Sequence, residues 1–265
     1  MADIGIIGSY GISALLDGVK ETKVTTKYGD PSGNISIGTI GGVEVALVPR
    51  HGKGHTIPPH IVPYAANLQA LKDSGVTRII STTAVGSLKP EYKPGDFILF
   101  DQFINLTSGR KDTIFDGGKV IHVSTAEPYC PEMRSVVSKA SIDMDINLHT
   151  GGTVAVINGP RFSTKAESRL YAANGMDVIN MTQYPEAALA REMGLCFLGI
   201  GTITDYDAGL EGSEGIESVS FGEVQRMFAE SAGKLKSLVL DVIPKMPKER
   251  ACGCANSLEG ATVSE

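Results

Sequence analysis

Short runs of β-branched and other apolar residues alternate with helix-like segments along most of this chain, a pattern typical of an α/β domain. Seven apolar runs predict strands, at residues 4–8, 43–48, 78–82, 97–100, 153–157, 177–180 and 195–201. Several of these runs are apolar at consecutive positions, as expected where a strand is covered on both faces. The pattern contains no repeat and no linker, so it predicts one folded unit.

Caps, glycines and apolar stripes predict three helices. The first begins after Pro59 and ends before Gly75. Its apolar stripe consists of Ile61, Tyr64, Leu68 and Leu71. The second begins at Thr164, which opens a capping-box pattern, and the third occupies residues 220–244. Residues 249–265 have little apolar periodicity and predict a loose tail.

Composition and charge argue against several classes of protein. The chain has 265 residues and a formal net charge of −6, from 24 lysines and arginines against 30 aspartates and glutamates. An acidic chain repels polyphosphate, which argues against a dedicated nucleic-acid binder. No apolar run reaches the roughly 18 residues of a membrane span. Four cysteines in a chain of this length do not form a secreted disulfide framework, so we expect a cytoplasmic protein.

Residues 49–55 combine Arg50, a lysine and two histidines directly after a predicted strand. Anionic ligands bind at the carboxyl ends of strands in α/β sheets, and a guanidinium can hold phosphate through two parallel hydrogen bonds. The pattern therefore favours a phosphate-binding loop. Two alternatives stay open: a solvated loop, and a metal site at His51 and His55, although the intervening glycines oppose the helix that such a pair needs.

Further polar groups follow other predicted strands. Residues 81–87 carry hydroxyls and a glycine, and residues 180–182 carry an amide and a hydroxyl. Together with residues 49–55 they offer donors from three strand ends to one small anion. The glycine-rich turn at 5–11 could also cradle an anion with its amides. It fits a tight structural turn as well, and fits a nicotinamide site poorly, because its spacing is not G-x-G-x-x-G.

Asp205 and Asp207 follow a very apolar run, so we expect both carboxyl groups at the edge of the core. Burial disfavours the charged form of a carboxyl group and keeps it protonated. A protonated carboxyl group can donate to a departing nitrogen, and a second carboxylate can accept a hydrogen bond from an amino group. The alternative is an ordinary polar turn after a buried strand.

A series of motifs in a fixed order resembles the 5′-methylthioadenosine phosphorylases of the trimeric purine nucleoside phosphorylase superfamily. The motifs are RHG at 50–52, TAVGSL at 83–88, PGD at 94–96, DQFI at 101–104, AEP at 126–128, GPRFS at 159–163, NMT at 180–182, PE at 185–186 and TDYD at 204–207. The resemblance runs from about residue 3 to about residue 245. It implies a single α/β domain over residues 1–248, with a mixed central β-sheet flanked by helices and a flexible tail at 249–265.

The resemblance also implies roles for matching residues. The phosphate site would consist of Arg50, His51, Thr83, Ala84 and Thr182. Met181 would lie along the ribose, and the base pocket would contain Phe162, Ser163, Asp205 and Asp207. Asp205 and Asp207 would be the catalytic pair, with Asp205 aimed at N7 of the purine. His122 matches a position that reaches a neighbouring subunit's 5′-substituent site, and Phe221 lies in the region that shapes this pocket. The implied assembly is a homotrimer or a dimer of trimers.

The implied reaction is phosphorolysis of 5′-methylthioadenosine to adenine and 5-methylthioribose 1-phosphate, with inorganic phosphate as co-substrate and no cofactor. Two departures from the family bear on it. The hydroxyl residue of the family's first loop is replaced by Tyr10, for which Ser9 is the candidate substitute. Ala208 and Gly209 are similar to relatives that act on 6-oxopurine nucleosides, so methylthioinosine, inosine or guanosine stays open as an alternative substrate. A Rossmann-like oxidoreductase or a non-catalytic nucleotide-binding module explains the converging donors less well.

The cysteines carry a separate question. Cys130 and Cys196 match family cysteines that pair in some thermophilic members, and Cys252-Gly253-Cys254 resembles the C-x-C tail of some archaeal members. Spacing alone does not establish a disulfide bond. The C-x-C segment fits a redox pair, a metal site or an idle chain end, and we expect the idle end.

Overall fold

The computed structural model describes residues 2–8, 16–118, 120–210, 216 and 219–262. Within them, eleven strands form one mixed sheet that five α-helices flank, which confirms the implied fold. The strands are β1 (Ile4–Gly8), β2 (Asp17–Thr22), β3 (Ile35–Ile40), β4 (Val43–Pro49), β5 (Arg78–Ser87), β6 (Phe97–Leu99), β7 (Gln102–Leu106), β8 (Leu148–His149), β9 (Thr153–Ile157), β10 (Val178–Asn180) and β11 (Cys196–Tyr206). The helices are α1 (Tyr64–Asp73), α2 (Pro131–Asp143), α3 (Lys165–Ala173), α4 (Gln183–Glu192) and α5 (Phe221–Val242).

Apolar residues fill both faces of this sheet. Ile6 of β1 and Ile80 of β5 belong to a cluster with residues of α2 and α5. Their neighbours Ile7 and Ile79 belong to a second cluster, with residues of α1 and α4. Because successive side chains of a strand point to opposite faces, this double burial explains the consecutive apolar residues of the strands. None of the helices in the described part of the chain is long and apolar enough to cross a membrane.

Strand β5 lies at the centre of the sheet because it pairs with three other strands. Its first residues run parallel to β1 up to Ser81, and β11 runs parallel to it along its whole length. At Gly86 and Ser87 the antiparallel strand β10 takes the place of β1. Residues 82–85 therefore pair with β11 alone among the described strands. Such a switch point opens a crevice in which α/β proteins bind ligands.

Two strands extend farther than the apolar runs predict. Strand β5 continues to Ser87 and β11 to Tyr206, so polar residues that we expected just after the strands lie within them. Hydrogen bonding to neighbouring strands outweighs the low strand preference of these polar stretches. In β11 the register against β5 shifts by one residue at Thr204, just before Asp205. A bulge of this kind bends a strand and re-aims the side chains beside it.

Helix ends agree with the sequence where a cap fixes them. Helix α3 begins with the predicted capping box, in which Thr164 Oγ1 accepts from the backbone N–H of Glu167 and the Glu167 carboxylate accepts from that of Thr164. Helix α5 begins after Ser220, whose hydroxyl accepts from the N–H of Glu223 at 3.2 Å. These contacts are local, so the sequence predicts them well.

The first helix begins later than predicted. Helix α1 starts at Tyr64 because Pro63 disfavours the helical conformation at Val62, which is extended instead. Ile61, placed on the apolar stripe by the sequence, is 62% exposed. Helices α2 and α4 were not predicted, because only a weak apolar stripe marks each of them.

Residues 249–262 pack against the domain and do not form the predicted loose tail. The backbone carbonyl of Glu249 accepts from Arg78 Nη2 at 2.8 Å, and Ser257 Oγ donates to the carbonyl of Arg191 at 2.6 Å. Cys254 is buried in the same apolar cluster as α5. Backbone contacts of this kind leave no apolar periodicity in a sequence, so the pattern could not reveal them.

Candidate active site

Asn180, at the end of β10, joins two hydroxyl groups that we predicted to bind phosphate. Its amide nitrogen lies 3.1 Å from Thr83 Oγ1 and 3.3 Å from Thr182 Oγ1. Its amide oxygen accepts from the backbone N–H of Thr182 at 3.0 Å. Thr83 and Ala84 are half-buried in the stretch of β5 that pairs with β11 alone. The asparagine thus brings together a hydroxyl group within β5 and one just after β10, at the switch point of the sheet.

The guanidinium of Arg50 is buried and is held by the protein itself. Its Nε lies 2.5 Å from Glu186 Oε1, and its Nη2 lies 3.0 Å from Glu186 Oε2. Nη2 also donates to Ser81 Oγ at 2.7 Å, and Nη1 donates to the carbonyl of Thr82 at 2.8 Å. The guanidinium that we expected to bind phosphate therefore binds Glu186. These bonds use every N–H of the guanidinium except one on Nη1. Glu186 belongs to the PE motif at 185–186, but the sequence around it does not indicate that it pairs with Arg50.

His51 is neutral at physiological pH. Burial, and then the positive charge of Arg50, lowers the pKa of His51 to about 4. Its Nδ1 lies 2.8 Å from the carbonyl oxygen of Ile57, so Nδ1 carries the hydrogen and Nε2 is an acceptor. The ring stacks on that of His55, with ring centroids 4.2 Å apart. Within the described residues neither histidine belongs to a group of three or more ligating side chains, so the metal alternative gains no support.

Asp205 lies beside the bulge of β11 and is buried against β5. Thr204 Oγ1 donates to its Oδ1 at 2.7 Å, which leaves Oδ2 to carry a proton. Oδ2 lies so close to Gly86 that a methyl group there would be 3.0 Å away. Burial raises the pKa of Asp205 to about 7; the hydrogen bond from Thr204 opposes this rise, and the negative charge of Asp207 adds to it. The carboxyl group is therefore poised to give up a proton near neutral pH.

Asp207 is also buried, and burial raises its pKa, an effect that the nearby hydroxyls of Ser168 and Ser163 oppose. Asp207 Oδ2 and both serine oxygens are buried, and the two hydroxyls lie close enough to Asp207 to favour its charged form, although none of the three oxygens forms a hydrogen bond of full geometry among the described residues. The buried carboxyl group therefore lies in a small polar cluster with two hydroxyl groups.

Ser168 was not predicted as a site residue, and close packing explains its position. The turn Ala208–Leu210 packs against α3, and a Cβ at Gly209 would lie only 2.5 Å from Ser168 Oγ. Gly209 thus lets Ser168 of α3 approach Asp207. The Ala-Gly pair that we related to 6-oxopurine enzymes therefore has a packing role in this chain.

Arg110 is a second residue that sequence reasoning missed. Its Nη2 donates to the carbonyl oxygens of Met181 at 2.9 Å and Asn158 at 3.1 Å, and its Nη1 donates to that of Tyr184. It therefore ties together the segments that follow β9 and β10, and it fixes the backbone of Met181, which is half-buried.

Three of the remaining candidates lie among the described residues, and two lie outside them. Phe162 is half-buried in the loop before α3. Phe221 is 58% exposed at the first residue of α5, whose Glu223 is close enough to raise the pKa of Asp205. His122 is exposed, and its backbone N–H donates to the carbonyl of Ala261 at 2.8 Å. Ser9 and Tyr10 lie outside the described residues.

Comparison with known proteins assigns the family. The model of the phosphorylase superfamily matches residues 3–244. The chain belongs to the phosphorylase superfamily. Within it, the S-methyl-5′-thioadenosine phosphorylase of Thermofilum pendens is 50% identical over 262 residues, 98% of each chain. The methylthioadenosine phosphorylase of Schistosoma mansoni, solved in complex with adenine, superposes with a TM-score of 0.92 at 35% identity over 99% of each chain. The 6-oxopurine nucleoside phosphorylase of Pyrococcus furiosus is 43% identical, over 99% of this chain and 100% of the relative.

Membership in the superfamily confirms the resemblance that the motifs carry, and it makes the protein an enzyme of the phosphorylase type. This membership does not support the alternative of a Rossmann-like oxidoreductase that binds a nicotinamide cofactor.

Proposed function

We propose that the protein catalyses phosphorolysis of S-methyl-5′-thioadenosine to adenine and 5-methylthioribose 1-phosphate. The observation that carries this proposal is the placement of two kinds of group along β5. Gly86 lies against the acid Asp205, while Thr83, three residues earlier, belongs to the cluster of hydroxyl donors. Three residues of a strand span roughly 10 Å, which leaves room for a sugar between an anion and a heterocycle. The name of the 50%-identical relative supports the same substrate.

The reaction separates charge between the ribosyl group and the purine base. As the C1′–N9 bond breaks, its electron pair goes to the purine and positive charge develops on the ribosyl group. Phosphate beside Thr83 and Thr182 stabilises that charge, and one of its oxygens forms the new bond to C1′. Asp205 Oδ2 gives its proton to N7 of the departing base. General-acid assistance of this kind contributes about 10²–10⁴-fold. The atoms and electrons of this reaction balance without a cofactor.

Neutral His51 gives the phosphate site a preference for a protonation state. Its Nε2 accepts a hydrogen bond, so it pairs with a P–OH group of hydrogen phosphate and not with a bare phosphate oxygen. Arg50 contributes little net charge because Glu186 neutralises it. Hydroxyl and amide donors therefore carry most of the binding of phosphate.

Asp207 sets the choice of base. As a carboxylate it accepts from the 6-amino group of adenine and repels the 6-oxo group of hypoxanthine. One observation favours the second candidate function, a 6-oxopurine nucleoside phosphorylase. Burial raises the pKa of Asp207, and a protonated Asp207 would donate to a 6-oxo group. The 43% identity to the Pyrococcus furiosus enzyme is consistent with this alternative.

Side-by-side assays distinguish these functions. Methylthioadenosine, methylthioinosine, adenosine and inosine are each incubated with and without phosphate, and the free base is quantified. We expect base release only with phosphate, and the highest kcat/KM for methylthioadenosine. Phosphate-independent release contradicts the proposed reaction, whereas a preference for methylthioinosine or inosine contradicts the role of Asp207 alone.

We also propose a cytoplasmic homotrimer, or a dimer of trimers, in which His122 reaches the 5′-substituent site of a neighbouring subunit. Exposure of His122 on the single chain is consistent with that role. Light scattering measures the assembly. His122→Ala should lower kcat/KM for methylthioadenosine more than for adenosine, and equal losses for the two substrates contradict this placement.

A further inference from the structure

All four cysteines of the chain converge at one place. Cys130 directly precedes α2, Cys196 begins β11, and Cys252 and Cys254 lie in the packed tail. Their four sulfur atoms lie within 4.8 Å of one another, and those of Cys196 and Cys252 are 3.4 Å apart. All four are free thiols. Three separate parts of the sequence thus deliver every thiol of the protein to a single cluster.

We propose that this four-cysteine cluster binds one zinc ion. Zinc in structural sites is tetrahedral, with Zn–S bonds of about 2.3 Å, which places neighbouring sulfur atoms about 3.8 Å apart. The sulfur atoms of the cluster lie within about 1 Å of this spacing, so small side-chain rotations complete the tetrahedron. Four soft sulfur ligands in a tetrahedron select zinc over the hard cations that prefer oxygen.

The surroundings of the cluster suit a closed structural site. Three of the thiols are buried, and all three belong to the apolar cluster that contains residues of α2 and α5, while Cys252 is half-buried and provides a route for the ion. Zinc with four thiolates carries two negative charges. Arg78 is buried opposite Cys196 in the β5–β11 register and brings a positive charge there, which it shares with Glu132, whose Oε2 lies 3.5 Å from Arg78 Nη2. Its Nε has no hydrogen-bond partner among the described residues.

The position of the cluster argues for a tether and against a part in the chemistry. Cys196 is at the first residue of β11, and Asp205 is nine residues later, roughly 30 Å along the strand. Zinc would instead fasten the tail to α2 and β11. Beyond the cysteines, the same tail holds the segment of His122 through Ala261.

Metal analysis of the full-length chain tests this proposal. The protein is purified under reducing conditions, supplied with zinc, dialysed against a chelator and analysed by elemental mass spectrometry. We expect about one zinc ion per chain in the wild type and near-complete loss in Cys252→Ser. Ser257→Ala is the matched control, because it removes a tail contact but no thiol, and it should retain zinc. Circular dichroism confirms that each variant is folded.

Cobalt substitution and intact mass provide the second readout. Cobalt(II) in the wild type should show the intense visible bands of tetrahedral thiolate coordination, and Cys252→Ser should lose them. Three outcomes would overturn the proposal: no chelator-resistant zinc in the wild type, equal zinc in wild type and Cys252→Ser, or an anaerobically prepared wild type whose mass is lower by four hydrogens, which indicates two disulfide bonds in place of a metal site.

Discussion

Replacing Asp205 by asparagine separates the use of this carboxyl group in catalysis from its effect on stability. The pKa of Asp205 is about 7 in the folded protein, against an ordinary value of 3.8. The folded state therefore holds this proton more tightly than the unfolded state does. By linkage, the free energy of unfolding falls as the pH rises between these two values and stays low above the higher one.

The size of this effect follows from the two pKa values. At about 1.4 kcal/mol per pKa unit, the difference between 3.8 and about 7 corresponds to roughly 4 kcal/mol of lost stability at alkaline pH. Asparagine is neutral at every pH, so Asp205→Asn removes the penalty. We expect the variant to be more stable than wild type above neutral pH, by up to about 4 kcal/mol, and close to wild type in acid.

Catalysis should change in the opposite direction. Asp205→Asn cannot give a proton to N7, so kcat should fall about 10²–10⁴-fold. In the wild type, the proton-donating form is present below the pKa, so kcat should decline as the pH rises through about 7. In the variant this decline should be absent. The assays are base release under saturating substrates and denaturant unfolding, both measured from acid to alkaline pH.

A companion variant, Thr204→Val, tests the assignment of the pKa. It removes the hydrogen bond to Asp205 Oδ1, which favours the charged form, so the decline in kcat should move to higher pH. The reasoning is refuted if Asp205→Asn keeps the wild-type pH profile, or if it is less stable than wild type at alkaline pH.

Three further substitutions test other parts of the site and fold. Asp207→Asn should shift kcat/KM from methylthioadenosine towards methylthioinosine, because the amide can donate to a 6-oxo group; an unchanged ratio would show that Asp207 does not contact the 6-position. Glu186→Gln should lower the free energy of unfolding by about 3–5 kcal/mol, because it leaves the buried charge of Arg50 without its partner; a loss below about 1 kcal/mol in denaturant unfolding would argue that water reaches Arg50. Thr164→Ala should cost about 1 kcal/mol through loss of the α3 cap while kcat is retained, and a full loss of activity would mean that the cap also positions the base pocket.

The sequence by itself determined the features that depend on neighbours along the chain. The capping box at Thr164, the N-cap at Ser220 and the doubly apolar strands are local patterns, so each could be predicted before any fold was known. The burial of Asp205 was predicted too, from its position at the end of a very apolar run, although the same residues also fitted an ordinary polar turn.

Tertiary structure alone decided which groups are partners. The pairing of Arg50 with Glu186 joins residues 136 positions apart, and the sequence near either residue does not predict it. The strand extensions of β5 and β11, the approach of Ser168 to Asp207 past Gly209, and the docked tail likewise depend on contacts between distant segments. Local patterns report only short-range interactions, whereas a long-range hydrogen bond exists only once the backbone has brought its two ends together.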